Sequence, residues 1–241
     1  EIQASDWSSD VCSSDLTPQP PSKFLIIGEP FSGKTTLAAK APAPLFLSTD
    51  GNAAKSGLDA VNVQSVQDIR ETLELFIKSK EYKTLVIDTI EGVSDIFADE
   101  TLAEFRAMGM RGEGGAPLKA LTDLAWGKGT GALNKKIDAF ADALANIKKN
   151  VIVLSYTKRQ VDEVSGSIVL ASELKNIRYV TRFMDAQVIA AYDGEKHSAQ
   201  LIHKREVMAG KVEYGEIEDF LTAIGWELPK KKVKVGKAQG R

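Results

Sequence analysis

Residues 23–39 read Lys23-Phe24-Leu25-Ile26-Ile27-Gly28-Glu29-Pro30-Phe31-Ser32-Gly33-Lys34-Thr35-Thr36-Leu37-Ala38-Ala39, and three patterns follow one another in them. Lys23–Gly28 is an apolar run of strand length, as in a parallel strand buried on both faces. Gly28–Thr35 satisfies G-x-x-x-x-G-K-[ST] in full. Thr35–Ala41 is then a short helix stopped by Pro42 and Pro44. Glycine at both ends lets the backbone curl so that successive N–H groups point inward at phosphate oxygens. The helix start adds its dipole, Lys34 supplies a point charge for the β and γ phosphates, and the Thr35 hydroxyl is the expected Mg²⁺ ligand. The stretch is therefore expected to hold ATP with Mg²⁺. Gly28, Glu29, Pro30, Phe31, Ser32, Gly33, Lys34, Thr35 and Thr36 would surround the phosphates.

Such a loop needs a carboxylate from a second strand on the Mg²⁺ side. Asp88 fits, because it closes the apolar run Leu85-Val86-Ile87 downstream of the loop. Hydrolysis needs a further group to orient the attacking water, and two acids compete. Asp50 ends the run Leu47-Ser48-Thr49, while Glu91 lies three residues past Asp88. An ATPase class that follows the Mg²⁺-side Asp directly with Glu is disfavoured, since position 89 is Thr. Strand ends face the ligand crevice in open parallel sheets, so Asp50 is taken as the catalytic acid beside Lys34 and Asp88. A turn-capping Asp before Gly51 is the rival reading of Asp50.

Further along, Leu45–Thr49, Thr84–Asp88 and Val151–Ser155 read as buried strands. Helices are predicted from an N-cap at Ser65 to about Lys78, over Gly92–Ala107, and over Leu133–Lys149. Met108–Pro117 is a glycine-rich break. After Ser155 the pattern changes to antiparallel hairpins: arms around Ser165-Gly166, then Ala186–Tyr192 and Ser198–His203 around Asp193-Gly194-Glu195. A last helix is predicted near Ile217–Ile224. The alternation of strand and helix predicts an α/β domain over 22–228, a mostly parallel sheet flanked by helices and extended on one edge by the hairpins.

The 241 residues are 43% hydrophobic and 27% charged, as in an ordinary globular domain. No apolar stretch approaches bilayer-spanning length and no basic-then-apolar leader is present, so a cytoplasmic protein is expected. Asp6–Leu16 (DWSSDVCSSDL) resembles the translation of a sequencing-library adapter joined in frame, and residues 1–16 are set aside as disordered. They hold Cys12, the only cysteine, so disulfides and thiolate chemistry drop out of the reading. Residues 229–241 form a basic tail expected to be disordered. With the six bases of the tail and the four acids of 1–16 set aside, Thr17–Pro229 carries 25 bases against 29 acids. That balance does not suit a protein coated for duplex DNA. His197 and His203 lack the carboxylate or cysteine company of a zinc site and read as ordinary sheet residues.

Gly28–Thr36, Leu47-Ser48-Thr49-Asp50-Gly51, Val86-Ile87-Asp88-Thr89 and Trp126-Gly127 together resemble the phage AAA-type nucleotide-binding proteins. These are RecA-like ATPases found beside single-strand annealing and recombination genes. The resemblance covers Ser22 to about Trp226. It implies a RecA-like P-loop core, ATP and Mg²⁺ binding, and a role in phage recombination, annealing or replication inside an infected bacterial cell. Phage recombination or replication proteins and a second copy of the chain are the implied partners. In RecA-like enzymes an acid, usually Glu, stands where Asp50 does, so this chain departs by one methylene. It also implies that the end of Val151–Ser155 senses the γ-phosphate, although relatives often carry His or Gln where this chain has Ser155-Tyr156. Lys158, Arg159, Lys204 and Arg205 are candidates for a contact across subunits or to nucleic acid, or are plain surface charges.

Single-stranded DNA binding wants basic residues with flat side chains between them, and Arg111, Lys119, Trp126 and Lys128 supply both. A loop beside a core-packed tryptophan is the plainer reading of the same residues. The leading expectation is a Mg²⁺-dependent ATPase acting with single-stranded DNA. The alternatives are a P-loop kinase of a small molecule, which would want an arginine-bearing lid, and an ATP-binding scaffold with little turnover.

Overall fold

The computed structural model describes residues 22–161, 168–172, 174 and 177–204. The 1–16 leader, the turn at Ser165-Gly166, the predicted helix at Ile217–Ile224, Arg205 and the 229–241 tail lie outside them.

Among the described residues seven strands are hydrogen-bonded side by side and an eighth branches off. They are β1 (Lys23–Gly28), β2 (Pro44–Ser48), β3 (Ala60–Asn62), β4 (Thr84–Asp88), β5 (Asn150–Val161), β6 (Ile168–Ser172), β7 (Ala186–Tyr192) and β8 (His197–Lys204). The order across the sheet is β3-β2-β4-β5-β1-β7-β8, with β6 paired to β5. All neighbours are parallel except β7–β8 and β5–β6. This is a mostly parallel α/β core, with β5 inserted between the glycine-loop strand β1 and the Asp88 strand β4.

The helices are α1 (Lys34–Ala38), α2 (Asn52–Lys55), α3 (Val66–Lys78), α4 (Ile90–Ala107), α5 (Lys128–Asn146) and α6 (Arg178–Thr181). Alternate strand residues feed two cores. Leu25, Leu47, Ile87 and Val153 meet Ile69, Phe76, Val93, Phe97, Phe140 and Leu144 from α3, α4 and α5. Phe24, Ile26, Phe46, Val86 and Ile152 meet Ala38, Ala41 and Ala53 on the opposite face. Phe24, Phe46 and Phe76 are all but fully buried, each contributing about 1.5–3 kcal/mol of transfer free energy. Double-sided burial explains why these strands read as unbroken apolar runs.

The molecule departs from the predicted elements in three places. Helix α5 begins at Lys128 rather than Leu133, through two glycines. Gly129 lies so close to Leu121 that an added Cβ would sit 2.2 Å from its carbonyl oxygen, so the residue that weakens the local helix signal is the one packing requires. Strand β5 runs on past Ser155 to Val161, where it pairs with β6 in the register Thr157↔Ser172 to Val161↔Ile168. One antiparallel pair therefore grows from the middle of the sheet, and among the described residues only β7–β8 extends an edge. Strand β3 and helices α2 and α6 had no sequence signal.

The N-cap of α3 matches its prediction and is reciprocal. Ser65 Oγ accepts the Asp68 N–H at 3.1 Å, and the Asp68 carboxylate accepts the Ser65 N–H at 2.9 Å. The Gln64 N–H, which also donates to Asp68 Oδ2, holds the Asp68 carboxyl below its ordinary pKa, with smaller help from the Ser65 hydroxyl and N–H. Ser65→Ala should cost about 1 kcal/mol in urea unfolding at neutral pH, with Ser65→Asp largely neutral.

Candidate functional site

Strands β1, β4 and β5 deliver their C-terminal ends to one edge of the sheet. The loop after β1 turns through Phe31 (φ 64°) and Gly33 (φ 88°) before entering α1. Gly28 is packed so that a Cβ would lie 2.4 Å from both the Ala190 carbonyl oxygen and Ser32 Oγ. The Phe31 side chain points to solvent, and Ser32 is buried with its Oγ making no hydrogen bond.

Lys34 is 6% exposed. Its ammonium donates to the carbonyl oxygens of Gly28 and Glu29, both at 2.9 Å, and lies 4.5 Å from the centre of the Tyr156 ring. Thr35 Oγ1 donates to Asp88 Oδ2 at 2.9 Å, joining the start of α1 to the end of β4 across the sheet edge. Burial pushes the Asp88 carboxyl above its ordinary pKa, Thr35 and Lys34 pull it down, and the nearby Asp50 charge pushes it up. Thr49 fixes the backbone beside this acid: its N–H donates to the Asp88 carbonyl at 2.8 Å and its Oγ1 accepts the Thr89 N–H at 3.2 Å. A Cβ on Gly92 would meet Thr49 Oγ1 at 2.2 Å, so the approach of β2 to α4 needs glycine there.

The structure separates the two competing acids. Asp50 is exposed and its oxygens serve its own turn. Oδ1 accepts the Asn52 N–H at 2.9 Å and the Ser48 hydroxyl at 3.3 Å, and Oδ2 accepts Asn52 Nδ2 at 2.6 Å. Glu91 is half-buried at the start of α4. Its Oε1 accepts the Ser155 hydroxyl at 2.6 Å and the Tyr156 N–H at 3.2 Å. Its Oε2 is shut away from solvent and makes no well-formed hydrogen bond. Burial raises the Glu91 carboxyl, against smaller opposing effects of Ser155, Tyr156 and the adjacent Thr89 hydroxyl.

Two contacts carried no expectation from the sequence, and a third feature decides between the two expectations for Trp126. The Tyr156 ring faces Lys34, His197 Nδ1 lies 3.2 Å from the Ser32 carbonyl oxygen, and Trp126 is fully exposed at φ 61°. Tyr156 and His197 arrive over long sequence separations and carry no local signal. Trp126 takes the presented arrangement rather than the core-packed one. Of the remaining candidates, Pro30 and Thr36 lie in the loop and first turn. Lys158, Arg159 and Lys204 fall within strands but their side chains are outside the described residues.

The residues present fit a nucleotide with its cation. The loop holds a buried hydroxyl without a partner, a buried ammonium resting on carbonyl oxygens, and a threonine–aspartate pair. Among the described residues no three His, Cys, Asp or Glu side chains converge on a metal position. A Mg²⁺ ion here would take Thr35 and Asp88 and fill its remaining positions with phosphate oxygens and water.

A family model described as AAA domain matches residues 21–211, most of the chain. The chain belongs to this AAA domain family. As an AAA domain with an intact phosphate loop, it is a nucleotide-binding P-loop domain of the ATPase type. Among solved structures, this AAA domain is similar to a crystal structure of the RadB recombinase, at 15% identity over 78% of this chain and 83% of that one, with a TM-score of 0.42. A search of curated proteins found no match. Among the described residues, no helix of the domain is long and apolar enough to cross a membrane.

Proposed function

We propose that this AAA domain hydrolyses Mg·ATP and couples the cycle to single-stranded DNA in phage recombination, annealing or replication. The observation that carries the hydrolytic half is the Thr35–Asp88 pair beside the buried Lys34. Residues 28–36 would wrap the phosphates, Lys34 would move from the Gly28 and Glu29 carbonyl oxygens onto them, and Thr35 and Asp88 would hold the cation. Bound Mg²⁺ neutralises charge that builds on the phosphates. Asp50 and Glu91 are the two proposals for orienting water, and the uncommitted buried oxygen of Glu91 favours the second.

The DNA half is supported by Trp126, which stands clear of the surface, with Arg111, Lys119 and Lys128 exposed on the same connection. An exposed ring with exposed cations along the same connection suits bases without regard to sequence. The only arginine of the glycine-rich break is Arg111, which disfavours a phosphoryl-transfer lid.

Phosphate release measured with and without single-stranded DNA tests the reading. Turnover should rise several-fold with DNA, lose that rise in Trp126→Ala, and weaken steeply with salt, as phosphate contacts do. Phosphate appearing on a small acceptor would establish the kinase alternative. Nucleotide binding without turnover under any condition would establish the scaffold.

A further inference from the structure

We propose that the Tyr192–His197 stack, at the tip of the β7–β8 hairpin, is the shelf on which the purine base of the bound nucleotide rests. The inference rests on the ATP-binding reading and adds to it the part of the site that recognises the nucleoside.

Topology sets the direction. The Asp88 strand β4 lies to one side of β1, beyond β5, and β7–β8 lies to the other. A triphosphate whose terminal end meets Lys34, Thr35 and Asp88 must carry its nucleoside away from β4, over β7 and β8. Register sets the face. Ala186, Val188 and Ala190 of β7 are buried with Ala38 of α1, so Tyr192, two residues on, belongs to the α1 side of the sheet. Its cross-strand partner is His197.

The local chemistry is that of a built surface. The two rings stack at 4.6 Å between centroids and 27° between planes. His197 seats the stack on the phosphate loop itself, with Nδ1 3.2 Å from the Ser32 carbonyl oxygen, and a Cβ on Gly33 would lie 2.9 Å from the same nitrogen. The tip is pinned from behind: Asp193 Oδ1 accepts the Glu195 and Lys196 N–H groups at 2.9 and 2.8 Å, and the Tyr192 hydroxyl donates to the Gly194 carbonyl at 2.7 Å. One face of Tyr192 is therefore committed to His197, while the side chain stays half-exposed at 51%. An oriented aromatic ring left open beside a phosphate loop is what a purine stacks on, and stacking makes no distinction between adenine and guanine.

The test separates base from phosphate by measuring equilibrium binding of Mg·ATP, Mg·CTP and inorganic tripolyphosphate to the full chain and to Tyr192→Ala, Tyr192→Phe and Lys34→Ala, with circular dichroism to check folding. Tyr192→Ala should weaken ATP about tenfold and leave tripolyphosphate within about twofold, as expected for one lost base-stacking contact. The preference of the native chain for ATP over CTP should shrink in the same variant. Tyr192→Phe keeps the ring and should bind ATP as the native chain does. ATP binding unchanged in Tyr192→Ala, or equal weakening of ATP and tripolyphosphate, overturns the shelf. If the native chain binds both ligands and Lys34→Ala loses both, the ATP reading stands whatever Tyr192 shows. If the native chain binds neither, the ATP reading fails and the shelf fails with it.

Discussion

Lys34→Ala should remove ATP turnover to about a thousandth of the native rate or less while the domain stays folded. A unit charge about 4 Å from a phosphate oxygen is worth about 4 kcal/mol at the effective dielectric of a partly buried site, which is close to a factor of a thousand. The fold holds the side chain ready for the phosphates. It is almost fully buried, its ammonium borrows the Gly28 and Glu29 carbonyl oxygens, and the Tyr156 ring lies 4.5 Å from it. Carbonyl oxygens are weaker partners than phosphate, so the lysine is already desolvated and transfers to the nucleotide at little further cost. Lys34→Met, which keeps an apolar stem of similar length, distinguishes loss of charge from loss of packing. Both variants should fail in phosphate release and in ATP binding, with Lys34→Met closer to the native melting temperature. Turnover above a tenth of native in both would show that residues 28–36 are not where hydrolysis occurs.

What could be read ahead of the structure was what the chain encodes locally. The strand at Lys23–Gly28, the strand at Thr84–Asp88 and the cap at Ser65 each lie within one short segment, and each appears where the pattern predicts it. The phosphate loop belongs to this group because its glycines, lysine and threonine are close together in one segment. Strand β3 has only Ala60-Val61-Asn62 and is held by pairing with β2, so nothing in its own three residues marks it. The Glu91–Ser155 bond spans 64 residues and the His197–Ser32 contact 165. Such contacts depend on which strands become neighbours, and β5 entering between β1 and β4 is a property of the whole sheet. The reading of Asp50 turns on the same limit. A strand-end acid before glycine has one sequence pattern whether it faces a ligand or caps its own turn, and only the positions of Ser48 and Asn52 tell the two apart.

Glu91→Gln should lower ATP turnover by a factor of about a hundred to a thousand, the range for losing a positioned proton acceptor, while Asp50→Asn stays within about tenfold of native. Glutamine is nearly isosteric with glutamate. Its carbonyl oxygen can still accept from the Ser155 hydroxyl and the Tyr156 N–H, so the link between α4 and β5 survives, while Oε2 becomes an amide nitrogen that cannot take a proton. ATP binding should therefore be retained in Glu91→Gln, in contrast to Lys34→Ala. The pH dependence follows from burial. Both Glu91 and Asp88 are pushed above the ordinary carboxylate range, and both must be ionised for their proposed roles. Native turnover should rise with pH along a limb lying above that range, and the part contributed by Glu91 should vanish in the glutamine variant. Stability runs the opposite way. A carboxyl whose pKa is raised on folding stabilises the fold below its unfolded pKa, and that contribution is lost as pH rises through the folded value. Glu91→Gln should therefore melt at or above the native temperature at neutral pH, the gain fading on acidification. Lower turnover together with equal or higher stability identifies an acid kept for chemistry. A variant that loses turnover and stability together would instead make Glu91 a structural brace, and a larger loss in Asp50→Asn than in Glu91→Gln would return the water-orienting role to Asp50.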